Sequence, residues 1–342
     1  MRKSQNNFFS LPERDLVHIT SHASAELEEL RGKNLFITGG TGFFGKWLLA
    51  ALRHADLERD LGLRVTVLSR DPARFLKQHP SWDSSRMLKF QQGHIAALSI
   101  SDDRYDYILH AASDTTASAT PAEERERSRA IVDGTHRVVK LVKKSGAHRM
   151  LYISSGAVYG TAAGKSSGAT EDDYTLARPL TPYAEAKREA EQLCEESGID
   201  FVTARAFAFL GPHLPLDAHF AAGNFLRDAK RGGPILVRGD GTAQRSYLYP
   251  ADLVVWLLRI LLRGERAHAY NVGSDESVSM AQLAHLIAET MSPVGAVTIQ
   301  SAQPQGPHNI YLPDIQRART ELHLDVAIPL REAIARTWAF LK

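Results

Sequence analysis

The chain has 342 residues, 44% of them hydrophobic and 23% charged, with a formal net charge of +2. That length suits one large domain or two interlocked ones with a sizeable core, and so small a charge gives no electrostatic reason to expect a nucleic acid as partner. The single cysteine, Cys194, excludes an internal disulfide and fits a reducing compartment; the polar N-terminus lacks the apolar core of a secretory leader, and the most apolar stretch, 253–262, contains Arg259 and is too short to cross a bilayer, so a cytoplasmic protein without a membrane partner is expected.

Residues 1–31 are weakly periodic and end in an acidic, helix-like run at 25–30; they are expected to form an extension that packs on the main domain. Apolar runs at 34–38, 64–69, 87–91, 105–111, 149–154 and 201–207 then read as strands. Helical periodicity fills most of the intervals, at 43–53, 123–144 and 182–196. Strands alternating with helices predict right-handed crossovers and a parallel sheet covered on both faces, an α/β fold of the doubly wound Rossmann type. The small, polar segment 161–170 reads as a flexible loop. From Gly211 onward glycine and proline cluster, which predicts a loop-rich insertion that leaves the sheet and returns. A buried helix at 251–263, a strand at 269–272, and helices at 279–291 and 330–341 complete the expected elements. The domain organisation predicted is an extension (1–31), a dinucleotide-binding domain (32–207 with 246–275) and a smaller C-terminal substrate-binding domain (208–245 with 276–342).

The first strand leads through Thr38-Gly39-Gly40-Thr41-Gly42-Phe43-Phe44-Gly45 into a helix, with Gly39, Gly42 and Gly45 in a G-x-x-G-x-x-G spacing. Glycines between a strand and a helix permit a tight turn and let a pyrophosphate approach the N–H groups that open the helix. At the end of the second strand a carboxylate would bind the ribose hydroxyls of NAD, whereas an arginine accommodates the 2′-phosphate of NADP. The chain has Ser69-Arg70 there, which favours NADP, although an arginine can also stack on the adenine.

Thr181 and Pro182 read as N-cap and first residue of a helix that carries Tyr183 and Lys187 four residues apart, on one face. An ammonium beside a tyrosine can lower its pKa towards a value useful for proton transfer. Upstream, Ser154-Ser155-Gly156-Ala157-Val158-Tyr159-Gly160 places two hydroxyls at the carboxyl edge of a strand, where open α/β sheets hold ligands.

In this order the motifs resemble the extended short-chain dehydrogenase/reductase family, in its NAD(P)-dependent nucleotide-sugar epimerase/dehydratase branch, from about Lys33 to the end of the chain. The resemblance implies that Gly39, Thr41, Gly42, Phe43, Phe44, Gly45, Ser69, Arg70, Ala111, Ala112 and Lys187 bind the cofactor. It implies Ser155 on the reacting sugar oxygen, Tyr183 as acid/base and Lys187 on the nicotinamide ribose, with no metal. Arg205-Ala206-Phe207-Ala208 and Gly239-Asp240-Gly241…Arg245…Asp252-Leu253 are similar to later family segments. They imply Asn224 and Arg245 on the substrate diphosphate, a role suited to a planar guanidinium. Pairing of Arg245 with Asp240 or Asp252 is the plainer alternative. The chain departs from the family at Ala208, Leu210, His94 and Ile131.

Dehydratases of the branch carry an acid/base pair after the hydroxyl residue; here stand Gly156 and Ala157, which transfer no protons. The reading is therefore hydride transfer at C4 of a nucleotide-linked hexose, as a 4-epimerase. An NADPH-dependent ketosugar reductase comes next, then a 4,6-dehydratase, and more distantly a cofactor-binding regulator without activity or a reductase of flavonoid-like substrates. The resemblance also implies a homodimer, through helices 123–144 and 182–196.

Overall fold

The computed structural model describes residues 11–82, 85–113, 120–175, 180–218, 220–291, 296–301 and 309–342; the first ten residues of the expected extension lie outside them. Two helices come first, α1 (Glu13–His22) and α2 (Ser24–Glu29). Then follow β1 (Asn34–Thr38), α3 (Phe43–Arg59), β2 (Arg64–Ser69), α4 (Pro72–Gln78), β3 (Leu88–Gln92), β4 (Tyr107–His110), α5 (Pro121–Ser145), β5 (Arg149–Ser155), α6 (Pro182–Glu196) and β6 (Phe201–Ala206). The next elements are α7 (Ala221–Lys230), β7 (Ile235–Val237), β8 (Gln244–Arg245), α8 (Pro250–Arg263) and β9 (Ala269–Val272). The last are β10 (Val278–Ser279), α9 (Met280–Met291), β11 (Val297–Ile299), β12 (Ile310–Tyr311), α10 (Gln316–Leu322) and α11 (Leu330–Leu341).

Seven strands pair in parallel in the order β3-β2-β1-β4-β5-β6-β9, the expected Rossmann-type sheet. The order reverses between β1 and β4, which opens a crevice at the carboxyl ends of these strands. Side-chain alternation distributes the core over both faces. Leu35, Ile37, Leu151 and Ile153 pack in the cluster that includes α3 and α8, while Phe36, Met150 and Tyr152 pack with residues of α5 and α6. A smaller sheet sets β8 antiparallel to β10 and parallel to β12, and β7 pairs with β11.

Helix α8 is buried along almost its whole length because α3 covers it on one side and α1 and α2 on another. Polar contacts fix that cover. Wholly buried Asp15 accepts from the Tyr249 hydroxyl at 2.7 Å and pairs with Arg336 at 2.5 Å. His18 meets Asp252 at 2.8 Å, and Arg259 meets Glu26 at 2.9 Å.

Several boundaries differ from expectation. The first long helix runs on to Arg59, where Asp60 takes a left-handed conformation (φ 49°) and ends it. The third strand is displaced by one residue, to Leu88–Gln92, because its register places Gln92 opposite Ser69. The fourth spans only Tyr107–His110, since its pairing stops where β1 stops, at Thr38 opposite His110. The insertion after Gly211 contains α7, whose Ala222, Phe225, Leu226 and Ala229 form a buried stripe. The 161–170 segment is not a free loop in its second half. Buried Ala169 exchanges backbone hydrogen bonds with Leu312 and Asp314 at 2.9 and 2.8 Å, and Lys165 pairs with Asp173 at 2.5 Å.

Candidate active site

The glycine turn follows β1. Gly39 has φ +73°, and a Cβ there would lie 2.7 Å from the Ala111 carbonyl oxygen. Only glycine lets the turn touch the segment after β4. Helix α3 has Gly42 as N-cap and no side-chain cap, and among the described residues no side chain accepts from its first N–H groups, Phe43 to Gly45. Free donors at the positive end of a long helix suit a pyrophosphate. Thr41 lies half-buried in the turn, and the Phe44 ring meets Phe209 edge-on at 4.8 Å, which ties the turn to the later half of the chain. The residues present fit a dinucleotide.

A buried hydrogen-bond chain braces this turn from behind. The Ala112 N–H donates to Thr38 Oγ1 (3.0 Å), which lies 2.8 Å from His110 Nδ1; His110 Nε2 lies 3.1 Å from Thr135 Oγ1, which donates to the Ile131 carbonyl (2.8 Å). Because Thr135 spends its proton on Ile131, it accepts from His110, so the ring carries its proton on Nε2 and accepts from Thr38 at Nδ1. Burial, aided by the nearby charge of Lys187, pushes the His110 pKa down to about 3, and the ring stays neutral. The His-Ala-Ala segment and Thr135 thus have one shared task, to join the turn, β4 and α5.

At the end of β2, Ser69 is buried and Arg70 exposed. The neighbouring carboxylate, Asp71, is engaged in capping α4, where it accepts from the Arg74 N–H at 2.9 Å. His94 caps a short turn after β3 by accepting from the Ala96 N–H at 3.3 Å.

Ser155, Tyr183 and Lys187 come together at the carboxyl end of β5. Thr181 caps α6 by accepting from the Ala184 N–H at 3.2 Å, with Pro182 in the first turn, as the sequence indicated. Lys187, buried, donates to the Ile153 carbonyl at 2.9 Å and lies 6.0 Å from the Tyr183 ring and 5.0 Å from that of Tyr152. Burial lowers its pKa to about 8, against an opposing pull from Glu191. The expected depression of the Tyr183 pKa is not met in this arrangement: burial raises it, and Ser155 and Ser113 oppose the rise. Lys187 directs its ammonium at Ile153 instead.

Two residues that sequence reasoning missed complete the centre. A Cβ on Gly156 would lie 2.7 Å from the Phe207 ring and 2.7 Å from the Tyr311 hydroxyl. Burial raises the Tyr311 pKa, and Ser155 opposes the rise. Its ring packs on Phe207 at 4.8 Å between centroids. No local motif marks Tyr311, which reaches the site only through the pairing of β12 with β8.

Arg245, in β8, lies 5.7 Å from the Tyr311 ring and donates to the Gln244 carbonyl (2.7 Å) and to both oxygens of Asn309 (2.8 and 3.1 Å). Among the described residues no carboxylate pairs with it. Asp240 accepts from Thr242, while Asp252 accepts from the Ala327 and Ile328 N–H groups and meets His18. Burial without a counter-charge lowers its pKa. Asn224, on α7, accepts from Arg227 at 2.9 Å, and among the described contacts it meets none of the other site residues.

A doubly wound sheet with a dinucleotide turn at its first crossover, and a Ser/Tyr/Lys group at the end of its fifth strand, defines an extended short-chain dehydrogenase/reductase. The chain belongs to the NAD dependent epimerase/dehydratase family, whose model matches residues 35–273, and it is an NAD-dependent enzyme. It is 26% identical over 291 residues to the mouse dTDP-D-glucose 4,6-dehydratase, covering 81% of this chain and 79% of that one. It is 27% identical over 308 residues to UDP-glucuronic acid decarboxylase 6 of Arabidopsis thaliana, covering 88% and 86%. Among solved structures, MoeE5 in complex with UDP-glucose and NAD matches with a TM-score of 0.74 at 26% identity, over 90% of this chain and 98% of that one. The UDP-glucose 4-epimerase of Thermotoga maritima shares the fold, with a TM-score of 0.76 at 20% identity over the same shares. No described helix is long and apolar enough to cross a membrane.

Proposed function

We propose that the chain interconverts a C4 alcohol and a C4 ketone on a nucleotide-linked hexose, and that it does so as a 4-epimerase. The observation that carries this reading is the space beside Gly156. Phe207 and the Tyr311 hydroxyl occupy the volume that an acid at 156 would need, and Ala157 moves no proton. Elimination and decarboxylation, the reactions named for two relatives by sequence, lack their acid/base pair here.

Tyr183 takes the C4 hydroxyl proton and returns it, while Ser155 holds the same oxygen by a hydrogen bond. Lys187 holds the nicotinamide ribose. Nicotinamide, when bound, supplies the hydride acceptor and donor. Arg245, a half-buried cation without a carboxylate partner among the described residues, binds the diphosphate, with Asn224 as a second contact on it. Residues 208–245 with 276–342 form the sugar-nucleotide side of the cleft, and 32–207 with 246–275 the cofactor side. The remaining cofactor contacts come from the glycine turn, Ala111 and Ala112. A homodimer in the cytoplasm belongs to the same reading.

One observation favours a ketosugar reductase instead. Arg70 stands exposed after buried Ser69, with Asp71 engaged in a cap, an arrangement that suits the 2′-phosphate of NADP. A hexose deuterated at C4 separates the two. An epimerase hands the same hydride back, so the epimer keeps its label without added cofactor; a ketosugar reductase, run in reverse on the same alcohol, passes the label to added NADP+ and forms one reduced cofactor per ketone. Loss of the label from a product formed without added cofactor would contradict the epimerase reading.

A further inference from the structure

Helix α6 carries Tyr183, Lys187 and Glu191 at successive four-residue steps, on one face. Lys187 and Glu191 are each only 2% exposed, and a buried charge persists only where another charge or hydrogen bonds compensate it. Among the described contacts Lys187 makes one hydrogen bond, to the Ile153 carbonyl at 2.9 Å, and no carboxylate forms an ion pair with it. The other groups around it bring no negative charge near neutral pH. They are the Tyr152 and Tyr183 rings at 5.0 and 6.0 Å, the neutral His110 ring, and the Cys194 thiol, whose pKa burial pushes up. Glu191 is the countercharge at hand.

A lysine and a glutamate four apart on a helix are within ion-pairing reach. Here the carboxylate is turned to Arg205 of β6 instead: Arg205 Nη2 donates to Glu191 Oε2 at 2.8 Å, and Nε to both carboxylate oxygens at 3.2 and 3.3 Å. Arg205 is itself locked, because its Nη1 donates to the Tyr159 hydroxyl at 2.9 Å and to the Glu171 carbonyl at 3.1 Å, and its guanidinium lies 4.4 Å from the centre of the Tyr174 ring. We propose that Glu191 and Arg205 are positioning residues for Lys187: the Glu191 carboxylate, held a helical turn away by Arg205, keeps Lys187 an ammonium while leaving its N–H donors open to the nicotinamide ribose. An ammonium has three N–H groups; one goes to Ile153 and two remain. A carboxylate in direct contact would take one of these, and with no carboxylate burial would strip the proton. The pKa of Lys187 agrees in direction, lowered to about 8 by burial and pulled back up by Glu191. The inference rests on the place of Lys187 at the nicotinamide ribose, given under the proposed function, but not on the sugar or the reaction.

The test is a pH titration by NMR of the full chain labelled with 13C at lysine Cε, in which the Lys187 signal is the one missing from Lys187→Arg. Glu191→Gln should raise the Lys187 ionisation constant about ten- to a hundredfold, as expected for losing a charge one turn away in a partly screened interior. Arg205→Met should move it the opposite way, by about three- to tenfold, because the released carboxylate closes on Lys187. The same variant should weaken NAD binding, read by fluorescence titration, about tenfold, since a donor is then spent on Glu191. A pair that only tied α6 to β6 would not shift Lys187 in opposite directions. Should either single variant fail to fold, Glu191→Leu with Arg205→Met replaces the pair by apolar side chains, a change that buried ion pairs tolerate, and should still raise the ionisation constant about tenfold. An unmoved Lys187 step in Glu191→Gln or in the double variant, a shift of the same sign in Arg205→Met, or undiminished NAD affinity in Arg205→Met would each overturn the proposal. Failure of the wild-type protein to turn over any nucleotide sugar, with these shifts intact, would instead overturn the proposed function and leave this inference standing.

Discussion

His110 shows how a single side chain can be fixed by its neighbours' protons. Its folded-state pKa, near 3, is far below the ordinary 6.5. The unfolded chain therefore binds a proton that the folded one refuses, and the ring's contribution to stability is full above about 6.5 and is lost as pH falls from there towards 3. Replacing His110 by Ala should cost about 1–3 kcal/mol, since Thr38 and Thr135 lose a buried partner, and should flatten the acid limb of a urea-denaturation series. An unchanged acid limb would mean that His110 titrates normally in the folded protein. Arg245 is the second residue with a specific expectation: Arg245→Leu should raise KM for a nucleotide sugar about ten- to a hundredfold, the worth of a charged hydrogen bond, while NAD affinity, read by fluorescence titration, stays unchanged. Ser155, Tyr183 and Lys187 were legible because the sequence keeps them in local motifs. Tyr311 was not, because its role depends on a two-residue strand finding β8 and on a glycine whose missing side chain makes room for its hydroxyl.

At the scale of elements, strands with clear alternation or continuous apolar character were readable, and their ends were not. Strand ends are set by the neighbour's length, as β4 ends with β1, and that information lies elsewhere in the chain. Helix α7 was hidden by the glycines and prolines around it, although its apolar spacing is regular. The composition of 161–170 suggested freedom, whereas Ala169 is held by strand-like contacts from the far C-terminal part. The N-terminal helices make the most testable element. Asp15 has no exposure and holds Tyr249, before α8, and Arg336, on α11. Asp15→Ala should leave the Tyr249 hydroxyl without its acceptor and destabilise the chain by about 1–3 kcal/mol, measured by chemical denaturation. Arg336 retains Glu332, which keeps the loss below that of a fully orphaned buried cation. Wild-type stability in that variant would mean that α1 is not anchored through Asp15.

For the whole molecule, the parallel sheet brings the glycine turn after β1 and the Ser/Tyr/Lys group to its carboxyl edge, and β12 reaches the same edge beside Gly156. Phe207 and Tyr311 of β12 close the space beside Gly156, which links the late, weakly patterned part of the sequence to the end of β5. Sequence similarity of 26–27% to a dehydratase and a decarboxylase leaves that choice open, and the packing around Gly156 favours simple interconversion at C4. The most direct measurement is to incubate the purified protein with UDP-, dTDP-, CDP- and GDP-hexoses without added cofactor and follow each by NMR. The account predicts a C4 epimer from at least one of them, with no loss of water or carbon dioxide; a 4-keto-6-deoxy product would contradict it.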